Sequence, residues 1–173
     1  MGTVHNIRKT INDEDIHEIN YCIEYLSDMK EELTDLIVSH GEEIKGDGPT
    51  IVFDPNWGDY LDLEDVGLHF IVTARAEKEL VGYASVITGK DIHHKDKVVS
   101  SMDAIFVNPE YQDTSIGSYL ILAAENYCRD AGSSKLSVTL HTHLPHDNLV
   151  EDLEFTFVEK VFSKDLTKGE EDV

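Results

Sequence analysis

The sequence predicts an α/β or α+β domain, one sheet with helices packed against it. Three observations lead there. Apolar residues recur every three to four positions in residues 16–37 and again in residues 116–127, the pattern of amphipathic helices. Between them, residues 68–107 carry runs rich in Val, Ile, Phe and Tyr that suit strands. Strand-like and helical segments then alternate toward the end of the chain. At 173 residues with 40% apolar side chains the chain can bury one compact core, so residues 1–173 read as a single domain.

In order, Val4 to Thr10 reads as a short first strand. Asn12, Asp13 and Asp15 follow as the cap and first-turn carboxylates of a helix. Its apolar face would be Ile16, Ile19, Ile23 and Leu26, continued by Met29, Leu33 and Ile37 and ended by Gly41. From Gly41 to Gly67 the composition turns to Gly, Pro, Asp and Asn, which predicts a long loop, and loops of that length in compact domains are usually functional. Leu68 to Ala74 and Leu80 to Thr88 are expected strands joined by a turn over Arg75 to Glu79; Val98 to Val107 is a third, stopped by Asn108-Pro109. A helix with Ile116, Leu120, Ala124 and Tyr127 on one face should close at Gly132. Lys135 to His141 alternates as a strand, Asn148 to Leu153 would be a short helix and Thr156 to Leu166 a final strand, with residues 167–173 as a disordered tail.

The chain carries 35 acidic and 14 basic residues, a net charge of −21. A field of that sign repels phosphate backbones, so direct nucleic-acid binding is not expected and cationic partners are. Surface carboxylates also keep copies of a domain apart, which alone would account for the charge. Homodimerisation is left open. Apolar runs such as Ile121 to Ala124 fall far short of the roughly 20 residues of a membrane-spanning helix, and Met1 to Thr10 lacks a signal peptide's apolar core. A cytoplasmic protein with no membrane partner is the expectation, with Cys22 and Cys128 as free thiols of a reducing compartment.

The most informative segment runs from Met102 to Ile121. A strand ends at Pro109, a short polar loop follows and a helix begins among small residues, so several backbone N–H groups and a helix N-terminus converge as a phosphate site requires. An ordinary helix cap by Thr114 or Ser115 would read the same way. The run Val107-Asn108-Pro109-Glu110-Tyr111-Gln112, continued by Ile116-Gly117-Ser118-Tyr119-Leu120-Ile121, resembles the central motif of the GNAT superfamily of acyl-coenzyme A dependent N-acyltransferases. Leu80-Val81-Gly82-Tyr83-Ala84 is similar to that family's preceding strand, and Leu153-Glu154-Phe155 stands where the family ends with Leu-Gly-Phe. The likeness spans residues 4–166. Asp91-Ile92-His93-His94-Lys95-Asp96 further resembles an element of a subset frequently encoded by phages.

The resemblance implies a mixed, mostly antiparallel sheet splayed near Val107, with helices on both faces. It implies transfer of an acetyl group from acetyl-CoA, as co-substrate, to a primary amine of a cationic small molecule or protein. The cofactor would lie on Ile105, Phe106 and Val107 of the strand and on Gln112, Asp113, Thr114, Ser115, Ile116, Gly117 and Ser118 of the loop and helix start. Three residues depart from the family pattern. Ser115 replaces the first glycine, which is tolerable while its φ stays negative. Asp113 places a carboxylate beside the expected pyrophosphate. Val150 stands where the family often has the tyrosine that protonates the departing thiolate, and a valine does no acid–base work.

Proton handling then falls to other residues. Asp103 is expected to share a sheet face with Ile105 and Val107, and a carboxylate in an apolar strand is costly unless paired or used. It is the first candidate for the base that takes the amine's proton; an exposed Asp at the strand's open end is the plain alternative. Nine histidines are many for this length. His93 and His143 are the next candidates, because a neutral imidazole accepts a proton without any pKa shift, although surface positions are the commonest outcome for any one histidine. His141 and His143 share a strand face as a metal pair would, but no Cys or Asp completes a familiar set and no metal is expected. The acidic loop 41–67, with Asp47, Asp54, Asp59, Asp62, Glu64 and Asp65 beside Phe53, Trp57 and Tyr60, is expected to lie over the acceptor side as a lid. Packing of those aromatics as a satellite core is the alternative. The rival function is a GNAT-fold binding protein without catalysis, an acidic DNA mimic or phage-type inhibitor of a basic partner.

Overall fold

A computed structural model describes residues 18–44, 54–141, 147–162 and 164. Five strands form one sheet in the order β1-β2-β3-β4-β5: β1 Ile19–Glu24, β2 His69–Ala76, β3 Glu79–Lys90, β4 Val98–Val107 and β5 Ser133–Val138. β1 to β4 run antiparallel and β5 joins parallel to β4, giving the mixed, mostly antiparallel sheet of the expectation. Helices α1 Leu26–Ile44 and α2 Trp57–Asp65 cover one face; α3 Ile116–Asp130 covers the other, with the short α4 Asp147–Glu151 against it.

Both faces bury an apolar layer. Tyr21, Val72, Val86 and Met102 lie under Ile116, Leu120, Ile121 and Ala124 of α3, while Ile71, Leu80, Tyr83 and Phe106 lie under Leu26, Met29, Leu33 and Ile37 of α1. Full burial of each aliphatic side chain contributes roughly 1.5–3 kcal/mol, so the three-and-four spacing on α1 and α3 is what seats them. Arg75 of β2 binds the remaining edge: its guanidinium grips Glu24 of β1 at 2.7 and 2.9 Å and Glu32 of α1 at 2.7 and 2.8 Å. The α1 N-terminus receives the Glu64 carboxylate of α2, which accepts from the Leu26 and Ser27 N–H groups. Cys128 is buried and Cys22 half-buried, both as free thiols.

Several expectations are corrected. Ile19 and Ile23 belong to strand β1 rather than to a helix; a separation of four satisfies a period of 2 as well as a period of 3.6, and Tyr21 between them is buried on the same layer. The helix starts at Leu26 and runs through Gly41 to Ile44, because the buried stripe continues to His40. A third of the expected loop is helix α2, whose Trp57, Tyr60 and Leu61 pack on the α1 layer. Residues 155–162 form no strand, and Phe157, Val158, Val161 and Phe162 stand exposed. Apolar β-type composition gives no strand where no neighbouring edge is reached. Strands β2 to β4 and helix α3 fall where expected, with Gly132 at φ +81° beyond α3. The expected strand Val4 to Thr10 and the tail 167–173 lie outside the described residues.

Candidate active site

The parallel pair β4–β5 holds only over its first half. Register runs from Val98↔Ser133 to Met102↔Val138, and the last contact is the Thr139 N–H donating to the Met102 carbonyl at 3.3 Å. Beyond it β4 stays paired with β3 as far as Val107↔Gly82, while its other edge opens on a cavity of about 360 Å³. Gly82 allows a close approach there. A Cβ at that position would stand 3.0 Å from the Phe106 carbonyl oxygen and 3.3 Å from Leu120 Cδ1. Asp103 to Val107 of β4, the loop Tyr111 to Thr114, Gly117 of α3, Leu149 of α4 and the segment Thr139 to His141 wall one side. His40, Glu43 and Ile44 of α1 and Tyr60 of α2 wall the other.

A bulge sets the chemistry of β4. Ser85 faces Ala104 and Val86 faces Met102, so Asp103 is the extra residue between them. Met102 packs with the α3 layer, as do Ile105 and Val107, whereas Ala104 and Phe106 pack with the α1 layer. Asp103 therefore does not share its face with Ile105 and Val107; its Oδ2 accepts a 3.1 Å hydrogen bond from the Tyr60 hydroxyl on the α1–α2 side. The alternation was broken by one inserted residue, which no periodicity of the strand reveals.

The loop between β4 and α3 is tied down by its own side chains. Gln112 Nε2 donates to the Val107 carbonyl at 3.0 Å and to Glu43 at 2.9 Å. The Thr114 hydroxyl donates to the Tyr111 carbonyl at 2.6 Å and accepts from the Ile116 N–H at 3.3 Å, so Thr114 does the capping. Ser115, at φ −84°, keeps the negative φ its substitution for glycine demands. Asp113 sits at φ +60°, a left-handed position that Asp tolerates better than most residues. Of the residues expected to hold a cofactor, Ile105, Phe106, Val107, Gln112, Asp113, Thr114 and Gly117 line the cavity. Ile116 does not, its side chain being core; Ser115 and Ser118 are half-buried beside the wall.

On the opposite wall stand Tyr60, His40 and Glu43; Tyr83 of β3 lies behind His40, and Asp103 of β4 is hydrogen-bonded to Tyr60. Burial pushes the Tyr60 hydroxyl up to about 12, and the charge of Asp103 and the hydrogen bond to it add to the shift. Burial likewise raises Tyr83, helped by Asp103 and Tyr60. His40 is buried, with Nδ1 2.7 Å from the Tyr83 hydroxyl, a contact absent from the sequence expectations. The only signal for it in the sequence is its place three residues after Ile37, on the buried stripe of α1. Of the candidate bases, Asp103 lines the cavity. His93 does not: it is exposed in the β3–β4 turn, where its N–H donates to Asp91 at 2.8 Å. His143 lies outside the described residues, while His141 reaches the wall. Trp57 packs in the α1 layer with Lys30 Nζ 5.7 Å from its ring centre.

A sheet splayed beside a strand–loop–helix turn has a counterpart among known proteins. The sequence profile of the acetyltransferase (GNAT) family matches residues 30–153. The chain belongs to this family. No curated protein matches the sequence. Among solved structures, an aminoglycoside acetyltransferase, meta-AAC0020, from an uncultured soil metagenomic sample, in complex with sisomicin, is similar at TM-score 0.66 and 17% identity, covering 87% of this chain and 97% of that one. A ribosomal-protein-alanine N-acetyltransferase from Brucella melitensis is similar at TM-score 0.67 and 18% identity over 87% of this chain and 100% of its own. A predicted acetyltransferase with acetyl-CoA from Clostridium acetobutylicum gives 0.68 and 12% over 88% and 99%. Likeness at these identities is likeness of fold, so this GNAT chain's cofactor and acceptor must be argued from its own residues.

Proposed function

We propose that the protein transfers an acetyl group from acetyl-CoA to a primary amine carried by a cationic molecule. The observation that carries this is one cavity in which the open edge of β4 with Asp103, the loop before α3, and Glu43 of α1 with Tyr60 of α2 meet. Two substrates must share that space. The pantetheine would run along Ile105 to Val107, with backbone N–H near Phe106 and Val107 facing the thioester oxygen. The pyrophosphate would sit on the loop Gln112 to Ser118 and the first turn of α3, whose N–H groups have no helical partner. No Lys or Arg is among the described lining residues, so the backbone would carry phosphate recognition, and Asp113 would have to turn its carboxylate to solvent.

The acceptor side favours a cation. Glu43 and Asp103 stand there with Tyr60 and Phe106, and carboxylates beside aromatic faces suit an ammonium through charge and cation–π contact. The net charge of −21 adds long-range attraction, screened beyond about 8–10 Å at physiological salt. In this reading Asp103 holds the ammonium and draws off its first proton, directly or through water, leaving the neutral amine that can attack. Residues 54–65 supply the described part of the acceptor-side cover. The test is calorimetric titration with acetyl-CoA followed by a thiol-release assay against polyamines, aminoglycosides and lysine-containing peptides. Micromolar binding with release on at least one amine supports the reading; no binding together with tight, salt-sensitive association to a basic protein would replace it with the acidic binding protein.

A further inference from the structure

His40 stands where the sequence placed no functional group: on the last turns of α1, buried, and on the cavity wall. Its Nδ1 lies 2.7 Å from the Tyr83 hydroxyl, and its ring stacks on Phe106 with centroids 5.0 Å apart and planes 18° from parallel. Phe106 belongs to the open stretch of β4, so the imidazole lies against the strand segment assigned to the thioester. We propose that His40, its tautomer set by Tyr83, accepts the proton of the attacking amine and delivers it to the departing sulfur. This rests on the acetyl-transfer reading above.

The step balances without another reactant. The amine nitrogen forms a bond to the thioester carbon, and the carbonyl pair moves to oxygen. The nitrogen, now positive, gives a proton to His40 Nε2. The oxyanion pair returns, the C–S bond breaks, and sulfur takes the proton from the imidazolium, which restores the neutral ring and leaves an amide and a thiol. Nε2 is basic only while Nδ1 carries the ring proton and donates it to the Tyr83 oxygen, which gives that contact a task beyond packing. Val150 on the α3 side is apolar and does no acid–base work, so one group performing both transfers removes the need for a second.

The surroundings suit a shuttle. Burial pushes His40 down from the ordinary imidazole range; Glu43 of α1 and Asp103 of β4 push it up, and His141 beyond β5 pushes it down. Tyr83 of β3 contacts the ring directly, and Tyr60 of α2 stands on the same wall. The net result is a ring that is neutral at pH 7 and gives up a proton readily once charged, as both halves of the transfer need.

The experiment is kcat at saturating amine and acetyl-CoA, measured across pH 5 to 9, with acetyl-CoA affinity by calorimetry, for the wild type, His40→Gln and Tyr83→Phe. The wild type should lose activity on the acid side with a midpoint below the ordinary imidazole value of 6.5. His40→Gln should lower kcat by about 100-fold or more, with that acid limb gone and acetyl-CoA affinity kept. Tyr83→Phe keeps the ring and should lower kcat less while moving the limb. A folded His40→Gln with wild-type kcat and limb overturns the proposal; should that variant not fold, an unaltered profile in Tyr83→Phe overturns it. Absence of acetyl-CoA binding or of thiol release in the wild type overturns the transfer reading and this proposal together, whereas transfer that is indifferent to both substitutions overturns the shuttle alone.

Discussion

The Tyr60 hydroxyl donates a 3.1 Å hydrogen bond to Asp103 Oδ2 across 43 residues of sequence, joining helix α2 to the bulge of β4 at the mouth of the cavity. The bond aims the carboxylate that is assigned to the acceptor. Asp103→Asn should lower kcat/KM for a cationic amine by about 100-fold, in keeping with the usual worth of a positioned proton acceptor. Tyr60→Phe keeps the ring and removes only the donor, so it should raise the amine's KM several-fold with acetyl-CoA affinity unchanged. Asp103 is exposed, and a hydrogen bond there adds no more than about 1 kcal/mol to stability, so thermal unfolding should barely move in Tyr60→Phe. Steady-state kinetics with both substrates varied separates the outcomes; an unchanged amine KM would deny the pair any part in acceptor binding.

Gly117 tests the phosphate site. A Cβ there would meet Leu149 Cδ1 and Cδ2 at 3.5 Å, ordinary van der Waals contact. Gly117→Ala should therefore fold as well as the wild type or slightly better, since alanine is favoured over glycine in helices by up to about 1 kcal/mol. The methyl group would nevertheless occupy space on the cavity wall where the backbone must approach the pyrophosphate. Calorimetry should show coenzyme A binding weakened tenfold or more beside a melting temperature equal to the wild type's or slightly higher. Gly117→Asp should weaken it further by adding a charge. Equal affinity in both variants would move the pyrophosphate elsewhere.

Glu154 has a φ of +62°, in the left-handed region that favours glycine. A left-handed backbone costs a residue with a Cβ roughly 1–2 kcal/mol, part of which glycine gives back through its freer unfolded chain. Glu154→Gly should thus stabilise the protein by about 0.5–1 kcal/mol, a rise of roughly 1–4 °C in melting temperature for a chain of this size. Differential scanning calorimetry decides it, and a lower melting temperature would mean that the Glu154 side chain contributes more than its backbone loses.

How far such features could be read in advance depended on whether they were local. Val98 to Val107 and the helix from Ile116 were legible because an apolar strand, a Pro stop and a stripe ending near Gly132 each carry their own signal. The loop residues Gln112 to Gly117 were legible as a likeness of motif. Ile19 to Glu24 was not, since its spacing satisfied helix and strand alike and only pairing with β2 chose between them. Asp103 stands out in the sequence as a charge in an apolar run, but the sequence puts it on the wrong face because a bulge is a property of two strands together. His40 and Tyr83 are 43 positions apart, and each alone reads as a core residue. Their meeting depends on how α1 lies across β3, which no local pattern encodes.

His69 offers a test of buried imidazole against pH that is independent of catalysis. It is buried on β2, its Nε2 3.0 Å from the Ser85 hydroxyl and its Nδ1 without a hydrogen-bond partner among the described residues. Burial pushes its pKa down, against smaller upward pushes from Asp103 and Glu64, and burial does the same to His40. A histidine whose pKa is lower folded than unfolded binds its proton more readily in the unfolded chain, so stability rises with pH across the interval between the two values. The protein should accordingly lose melting temperature as pH falls from 7.5 through the ordinary imidazole value of 6.5, well above the acid range in which Glu32, held low by its hydrogen bonds to Arg75, would begin to lose its contribution. Replacing both partners avoids orphaning either one, so His69→Phe with Ser85→Ala should remain folded, leaning on Tyr60 as the imidazole does at 5.0 Å. Between pH 7.5 and 5.5 that double variant should show a shallower fall in melting temperature than the wild type. A slope identical to the wild type's would show that protonation of His69 is not coupled to unfolding.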